Sequence, residues 1–221
     1  MASRVRVWDL PTRLFHWLLA LCVVGLVATA YIGDNNILWH ARLGYAALTL
    51  LLFRLVWGFV GGRWSRFSNF VYAPGSVVAY LRGKAHPDQL IGHTPLGAAS
   101  VFAMLLALLA QVVTGLFSDD EIFFTGPLNR FVDTATGLSA TWYHKAVGQW
   151  LVIALVAIHI AAILFYLLRH QNLVRPMVTG DKETAAPAES SRDDAGSRLL
   201  AAVIFAACAG LVYYGVVRLG G

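Results

Sequence analysis

The sequence is short of charge and of cysteine. Only 13% of its 221 residues are charged, whereas 58% are hydrophobic. A soluble domain of this length does not carry so few charges, so the water-soluble classes are excluded. The two cysteines, Cys22 and Cys208, both lie in apolar runs and predict packing residues rather than a disulfide framework. No P-loop, dinucleotide fingerprint, zinc-ligand spacing or nucleophile elbow is present, which argues against those enzyme classes.

Long apolar runs dominate what remains. A membrane-spanning helix needs about 20 mostly apolar residues, and five runs meet this requirement, near residues 12–32, 38–60, 96–117, 145–168 and 199–217. The first run begins after Pro11 and has no convincing small-residue cleavage site, so it predicts a retained span rather than a signal peptide.

The basic residues sort by side of the membrane. Most of the 17 Lys and Arg residues precede span one, connect spans two and three, or follow span four. The net charge of +5 therefore does not indicate nucleic-acid binding. The positive-inside rule predicts a multi-pass protein of the bacterial inner membrane, with its N-terminus cytoplasmic and its C-terminus periplasmic.

The chain divides by composition into three parts. Residues 1–179 predict an all-α, four-helix transmembrane domain. Residues 180–197 are charged, small and Pro-containing, which predicts a flexible linker. Residues 198–221 predict an additional C-terminal transmembrane helix, serving as an anchor or as a partner-binding helix.

Local signals place several helix ends. The Asp9 carboxylate can accept hydrogen bonds from the first amides of span one. The turn at 33–36 is predicted to end that span. Thr94 and Pro95 predict the N-cap and first residue of span three. The inner connection before it is long, and a short helix can start there at Pro74. Its aromatic and basic residues favour a segment lying in the membrane interface, with an ordinary loop as the alternative.

Four histidines carry the functional argument: His16, His40, His144 and His159. Each lies in a long apolar segment, where ionisable side chains are costly and usually functional. They fall one, one and two per segment. Two pairs of imidazoles inside a helical bundle are what two bis-histidine haems need. Electron transfer across a membrane is therefore the first hypothesis.

Helix geometry predicts which histidines pair. His144 and His159 are 15 residues apart, which places them roughly 60° apart around one helix and roughly 22 Å apart along it. One helix thus presents two ligands at two depths. The alternating direction of the spans then pairs His16 with His159 near the inner side and His40 with His144 near the outer side.

Neighbouring residues support cofactor binding. Gly44 and Gly148 each follow a histidine by four residues, which leaves a bare patch one turn away where a porphyrin could lie. Four cations are placed where they could pair with haem propionates: Arg13, Arg42, Arg54 and Lys145. Arg54 is the most informative of these, because a cation deep in an apolar run needs a partner.

Several motifs resemble the family of prokaryotic cytochromes b561 and nickel–iron hydrogenase b-type cytochromes. They are V-W-D-L-P-T-R-L-F-H-W (7–17), H-A-R-L-G-Y (40–45), F-R-L-V-W-G-F-V-G (53–61), Y-L-R-G (80–83) and G-H-T-P-L-G-A (92–98), with the His144 and His159 pair. The resemblance covers roughly residues 5–175. It implies a four-helix bundle with two haem b groups ligated from helices one, two and four. It also implies electron transfer linked to a quinone, ubiquinone or menaquinone.

The chain departs from this family in two places. Hydrogenase-related members commonly have G-H-N-P where this chain has G-H-T-P, and the linker and fifth span lie outside the shared bundle. Five spans also occur in hydrogenase-type subunits, so the fifth span does not settle the subgroup.

The predicted function is a two-haem path between a membrane quinone and a redox partner. The inner connection with His93 is the first candidate for the quinone site. The partner at the outer side could be a c-type cytochrome, a hydrogenase-like oxidoreductase subunit or superoxide. The acidic cluster at 119–121 favours a basic protein there, or is a solvated loop. Whether the chain is a free electron carrier or a subunit of a quinone-linked oxidoreductase stays open.

Two other functional classes are weighed against electron transfer. A histidine-based metal-ion transporter is disfavoured by the lack of intramembrane carboxylates and by the scarcity of Met and Cys, which soft metals prefer. A membrane anchor without a cofactor leaves the four paired histidines unexplained.

Overall fold

The computed structural model describes residues 3–32, 36–84, 86–122, 124–184 and 187–220. The turn predicted at 33–36 lies outside the described residues except for Asn36. The helices are α1 (Leu10–Tyr31), α2 (Ile37–Val60), α3 (Pro74–Leu81), α4 (Pro95–Phe117), α5 (Thr134–Trp142), α6 (Gln149–Leu168), α7 (Val174–Thr179) and α8 (Ala195–Tyr213). The strands are β1 (Ser3–Arg6) and β2 (Asp181–Thr184).

Within the described residues, five helices are long and apolar enough to cross a membrane, by length and composition. The all-α fold class is thus confirmed. The fourth of these helices runs from Thr134 to Leu168, because α5 continues through a π-helical segment, Tyr143–Gly148, into α6. The predicted start near residue 145 is therefore wrong. Asp133 caps the helix earlier, accepting a hydrogen bond from the Thr136 amide at 2.7 Å.

The predicted helix starts are confirmed at three positions. The α3 helix begins at Pro74. Thr94 caps α4 by accepting a hydrogen bond from the Gly97 amide at 3.1 Å. Asp9 caps α1 by accepting one from the Thr12 amide at 2.8 Å.

The chain forms two compact units by its internal contacts. The first is built from residues 1–15, 54–103 and 157–203, and the second from residues 16–53, 104–156 and 204–221. The first unit contains the sheet and the inner connection, and the second contains the outer connection between α4 and α5.

Asp9 is the polar centre of the first unit. Its carboxylate is fully buried. Besides the Thr12 amide, it accepts hydrogen bonds from the Trp57 indole N–H at 3.2 Å, the Gly62 amide at 3.0 Å and the Ser65 hydroxyl at 2.9 Å. A buried carboxylate needs such donors because it loses its hydration. The start of α1, the end of α2 and the loop after α2 are thereby fixed to one another.

The segment predicted as a flexible linker is folded where the structure describes it. Strand β2 pairs antiparallel with β1. Further along, the Ser191 hydroxyl donates to the Val7 carbonyl at 2.8 Å. The prediction failed because low side-chain hydrophobicity was taken as disorder. Backbone pairing and polar side-chain contacts order this segment without a large apolar surface.

Asp193 ends this folded segment and binds the beginnings of two long helices. Its carboxylate accepts hydrogen bonds from the Leu10 amide at 3.1 Å and from Arg198 Nε at 3.0 Å. Burial alone would raise the pKa of Asp193. The hydrogen bonds from Arg198 and Leu10 and the positive charges of Arg198 and Arg6 outweigh it and hold the pKa below its usual value.

The fifth long helix packs within the second unit. Phe205 of α8 meets Phe53 of α2 edge to face, with ring centroids 6.1 Å apart. Cys208 and Val212 on α8 are buried. The fifth long helix therefore packs against α2.

We expect Asp9→Asn to destabilise the protein strongly. An amide presents only one acceptor oxygen and turns its NH₂ group toward donors, so several buried hydrogen bonds are lost. The expected loss is about 3–5 kcal/mol in the free energy of unfolding, measured by circular dichroism in detergent. Asp88→Asn is the matched control, since Asp88 is exposed. Equal stabilities of the two variants would contradict the role of Asp9.

Candidate functional site

His40 lies in the first turn of α2, and its ring is held by α1. The Nδ1 atom is 3.0 Å from the Leu26 carbonyl oxygen and 3.2 Å from the Thr29 hydroxyl oxygen. That hydroxyl donates to the Gly25 carbonyl at 2.7 Å, so its oxygen remains able to accept. A carbonyl can only accept, so Nδ1 of His40 carries the proton.

His144 lies in the π-helical segment, and its ring is held by α4. Its Nδ1 atom is 2.8 Å from the Gln111 carbonyl oxygen, which again places the proton on Nδ1. The Gln111 side chain donates in return to the His144 carbonyl at 3.0 Å. Single-turn π-helices occur frequently at functional sites, because they re-aim a side chain within a helix.

The His40 and His144 rings lie close to each other. Their centroids are 6.1 Å apart, with an angle of 80° between the ring planes. Metal–imidazole nitrogen bonds are about 2 Å long, so two rings on opposite sides of one metal ion have centroids roughly 6 Å apart. With Nδ1 protonated on both rings, each Nε2 keeps its lone pair for a metal. The donor set and the spacing therefore fit a six-coordinate haem iron with two axial imidazoles.

Of the two glycines predicted to leave a bare patch next to these histidines, Gly44 agrees with the prediction and Gly148 does not. A Cβ on Gly44 would meet no neighbour, in agreement with a bare patch. A Cβ on Gly148 would collide with the Gln111 side chain, so the expectation of an open surface at Gly148 is wrong. Gly115 of α4 instead lies against the His144 ring, where a Cβ would be 3.0 Å from Cε1.

The other two histidines are placed on their predicted helices. His16 lies in α1, in the second unit, with its ring edge to face with Trp17 at 5.0 Å. His159 lies in α6, in the first unit. Their pairing, and the ligand role of all four histidines, stay predictions.

Three of the four cations predicted to bind propionates have other surroundings here. Arg13 donates to the Val178 carbonyl at 2.7 Å and lies 3.8 Å from Asp193. Arg42 is exposed and lies 5.0 Å over the Trp39 ring. Lys145 is exposed beside His144. Arg54 alone is deeply buried, with 3% of its surface exposed.

Residues that hold the rings were not found from the sequence. Gln111 and Thr29 contact the His144 and His40 rings, yet neither belongs to a motif. A polar glutamine in the middle of an apolar span was the available signal for Gln111, because such a side chain has to be satisfied inside the protein. The carbonyl partners at Leu26 and Gln111 carry no side-chain signal at all.

Two carboxylates of the acidic outer connection accept hydrogen bonds from backbone amides of the same loop. The Asp119 carboxylate accepts from the Glu121 amide at 2.9 Å. The Asp120 carboxylate accepts from the Ile122 and Phe124 amides at 3.1 and 2.8 Å. These carboxylates order the loop, which favours a structural role for the cluster over a role in charge steering.

The sequence matches the family described as prokaryotic cytochrome b561 over residues 7–180. No solved structure matches the chain.

Several curated relatives are similar over most of their length. The "Probable Ni/Fe-hydrogenase B-type cytochrome subunit" of Azotobacter chroococcum mcd 1 is 30% identical over 213 residues, covering 80% of this chain and 88% of that protein. The "Probable Ni/Fe-hydrogenase 1 B-type cytochrome subunit" of Escherichia coli (strain K12) is 27% identical, covering 79% and 88%. The corresponding protein of Bradyrhizobium diazoefficiens is 24% identical, covering 81% and 86%. The chain thus belongs to the prokaryotic cytochrome b561 family, as a multi-pass membrane b-type cytochrome that holds haem b and transfers electrons.

Proposed function

We propose that this chain holds two haem b groups and conducts electrons across the bacterial inner membrane. The observation that carries the proposal is the His40 and His144 pair, with ring centroids 6.1 Å apart and both Nδ1 atoms bound to backbone carbonyls. This pair would hold the outer haem, and His16 with His159 would hold the inner one.

A haem with two axial imidazoles supplies one-electron exchange without an open position for oxygen. The protein's part is to fix the imidazoles. Leu26 and Gln111 hold the two Nδ1 protons, which sets the tautomers and makes each Nε2 a better donor. Gly44 leaves room beside the His40 ring. Because the rings are already oriented, little reorganisation accompanies an electron transfer.

We further propose an oxidoreductase as the protein partner and a quinone as the membrane partner. The curated relatives are named as Ni/Fe-hydrogenase b-type cytochrome subunits, which favours a hydrogenase-like partner over a c-type cytochrome or superoxide. The loop acids that bind their own backbone weaken the argument for a basic soluble partner.

The orientation proposed from the positive-inside rule places the N-terminus in the cytoplasm and the C-terminus in the periplasm. The outer pair, His40 and His144, then lies on the periplasmic side. The outward-facing surfaces of the long helices carry many exposed large apolar side chains, as contact with lipid requires.

A metal-ion transporter is the alternative class. No group of three or more His, Cys, Asp or Glu side chains suited to a metal ion occurs among the residues that the structure describes. Transport also requires ligands that release the ion, whereas His40 and His144 are held by fixed hydrogen bonds.

The reduced visible spectrum tests the haem proposal. We expect the purified wild-type protein to show a b-type α band after dithionite and two haems per chain. His40→Ala and His16→Ala should each remove one haem, because each breaks one pair. His86→Ala is the control, since His86 is an exposed loop residue outside the four predicted ligands. Absence of the α band, or loss of both haems in either single variant, would refute the assignment.

Gln111→Leu should weaken the outer haem only. The variant keeps the Gln111 carbonyl that holds His144 Nδ1 but removes the hydrogen bond to the His144 carbonyl, so the ring loses part of its support. Losing such a supporting contact costs about 10–100-fold in affinity. The haem-to-protein ratio on dilution in detergent measures the effect. Gln149→Leu makes the same exchange on the helix that carries His144 and should leave both haems in place.

Reduction of the haems in native membranes tests the partner. With a hydrogenase-like partner, we expect hydrogen gas to reduce the haems of the wild-type protein, and His40→Ala to slow this at least tenfold. Affinity purification in mild detergent should then recover the oxidoreductase with the chain. Reduction by superoxide or by a c-type cytochrome, with no response to hydrogen, would assign one of the other partners.

A further inference from the structure

Arg54 is a buried cation with no polar partner in the part of the chain that the structure describes. Its guanidinium lies 4.6 Å above the Phe67 ring and 6.0 Å from the Phe70 ring. Across the described part of the chain it makes no hydrogen bond or salt bridge, and its Nη1 atom is buried and unsatisfied. Contacts with aromatic faces recover only a small part of the hydration that a buried guanidinium loses.

His93 lies against the same Phe70 ring, and one of its ring nitrogens is also unsatisfied. Its ring lies 4.7 Å from the Trp8 ring and 4.3 Å from the Phe70 ring, between centroids. Its Nδ1 atom is buried and has no hydrogen-bond partner among the described residues. Burial, together with the charge of Arg54, lowers the pKa of His93 to about 3, so the ring is neutral at physiological pH.

Asp9, a buried charge in the same unit, is satisfied by its neighbours. Its carboxylate has four donors, whereas Nη1 of Arg54 and Nδ1 of His93 have no hydrogen-bond partner among the described residues. Asp9 acts on Arg54 only through the longer-range field, since no ion pair joins them. Buried polar groups in folded proteins are satisfied by protein, water or ligand. A ligand with negative charge satisfies both groups at once.

We propose that Arg54 and His93 form a binding site for one anionic oxygen group. The guanidinium would offer two parallel N–H groups, as it does to carboxylates. His93 would add a third N–H from Nδ1, and the rings of Trp8, Phe67 and Phe70 would exclude water and strengthen the attraction. The inference rests on the proposed function, which supplies two sources of such an oxygen: a propionate of the inner haem, or the oxygen of a membrane quinone as it is reduced.

Redox titration of the purified two-haem protein tests the site. If the ligand is a propionate, Arg54→Gln removes a positive charge near one iron and favours its oxidised form. We expect the oxidised-to-reduced ratio of that haem to rise about tenfold at a fixed potential, which is about 59 mV for one electron. The other haem should not change. Arg54→Lys keeps the charge and should restore most of the wild-type value.

The second arm uses decylubiquinol as reductant. If the ligand is a quinone oxygen, Arg54→Gln leaves both potentials unchanged but slows haem reduction by the quinol at least tenfold. His93→Gln tests the same site from the other donor and should shift the same measurement less. It also keeps the proposal testable if Arg54→Gln fails to fold. Arg175→Gln is the matched control, because Arg175 is exposed on α7 and lies outside the inner connection.

The outcomes separate the proposals. A change in either arm, absent in Arg175→Gln, supports the site and identifies its source. Wild-type potentials and quinol rates in both Arg54→Gln and His93→Gln would overturn it, since Arg54 would then be a packing residue. Failure of the proposed function shows earlier, as a wild-type protein without two haem signals.

Discussion

A polar group buried at the depth of a bilayer has to be satisfied by the protein or by a ligand, because no water is available there to replace a missing partner. This constraint explains the helices, and it also explains which side chains are fixed. The Asp9 carboxylate has four donors, so the beginning of α1 and the end of α2 stay together. The Nδ1 atoms of His40 and His144 have backbone carbonyls, so the two imidazoles keep one tautomer. In both places a polar group costs less to bury because the backbone itself supplies the partner.

The same constraint separates structural from functional polar groups. A satisfied group, such as Asp9, has no capacity left for a ligand. A histidine with Nδ1 bound and Nε2 directed elsewhere is half satisfied, and the remaining nitrogen is available to a metal. The Nη1 atom of Arg54 and the Nδ1 atom of His93 have no hydrogen-bond partner among the described residues. Hydrogen bonding therefore separates the structural Asp9 from the His40 and His144 rings, which each keep one nitrogen for a metal, and from the proposed anion site.

Side-chain patterns predicted the helices well, because apolar length and capping residues are local signals. The starts at Asp9, Pro74 and Thr94 follow from residue type alone. Two features escaped prediction for physical reasons. The strand pairing of 181–184 depends on backbone hydrogen bonds, which amino-acid composition does not reveal. The alternation of buried residues around Val5 and Val7 was, by contrast, a usable sequence signal for β1. The support of His144 by Gln111 depends on a π-helical segment and on packing between distant helices, and spacing rules for a regular helix contain neither.

The rigidity of the outer pair bears on the choice between electron transfer and ion transport. A transported ion has to be bound and released, so its ligands need alternative positions of similar energy. Here the His144 ring is held at Nδ1 by the Gln111 carbonyl and lies against Gly115, and the His40 ring is held at Nδ1 by the Leu26 carbonyl. Turning either ring away breaks its hydrogen bond to a backbone carbonyl. Electron transfer instead requires iron ligands in fixed positions, because an unchanged geometry in both oxidation states keeps the reorganisation energy small. The way these imidazoles are held is therefore an argument for a permanent iron ligand, independent of family membership.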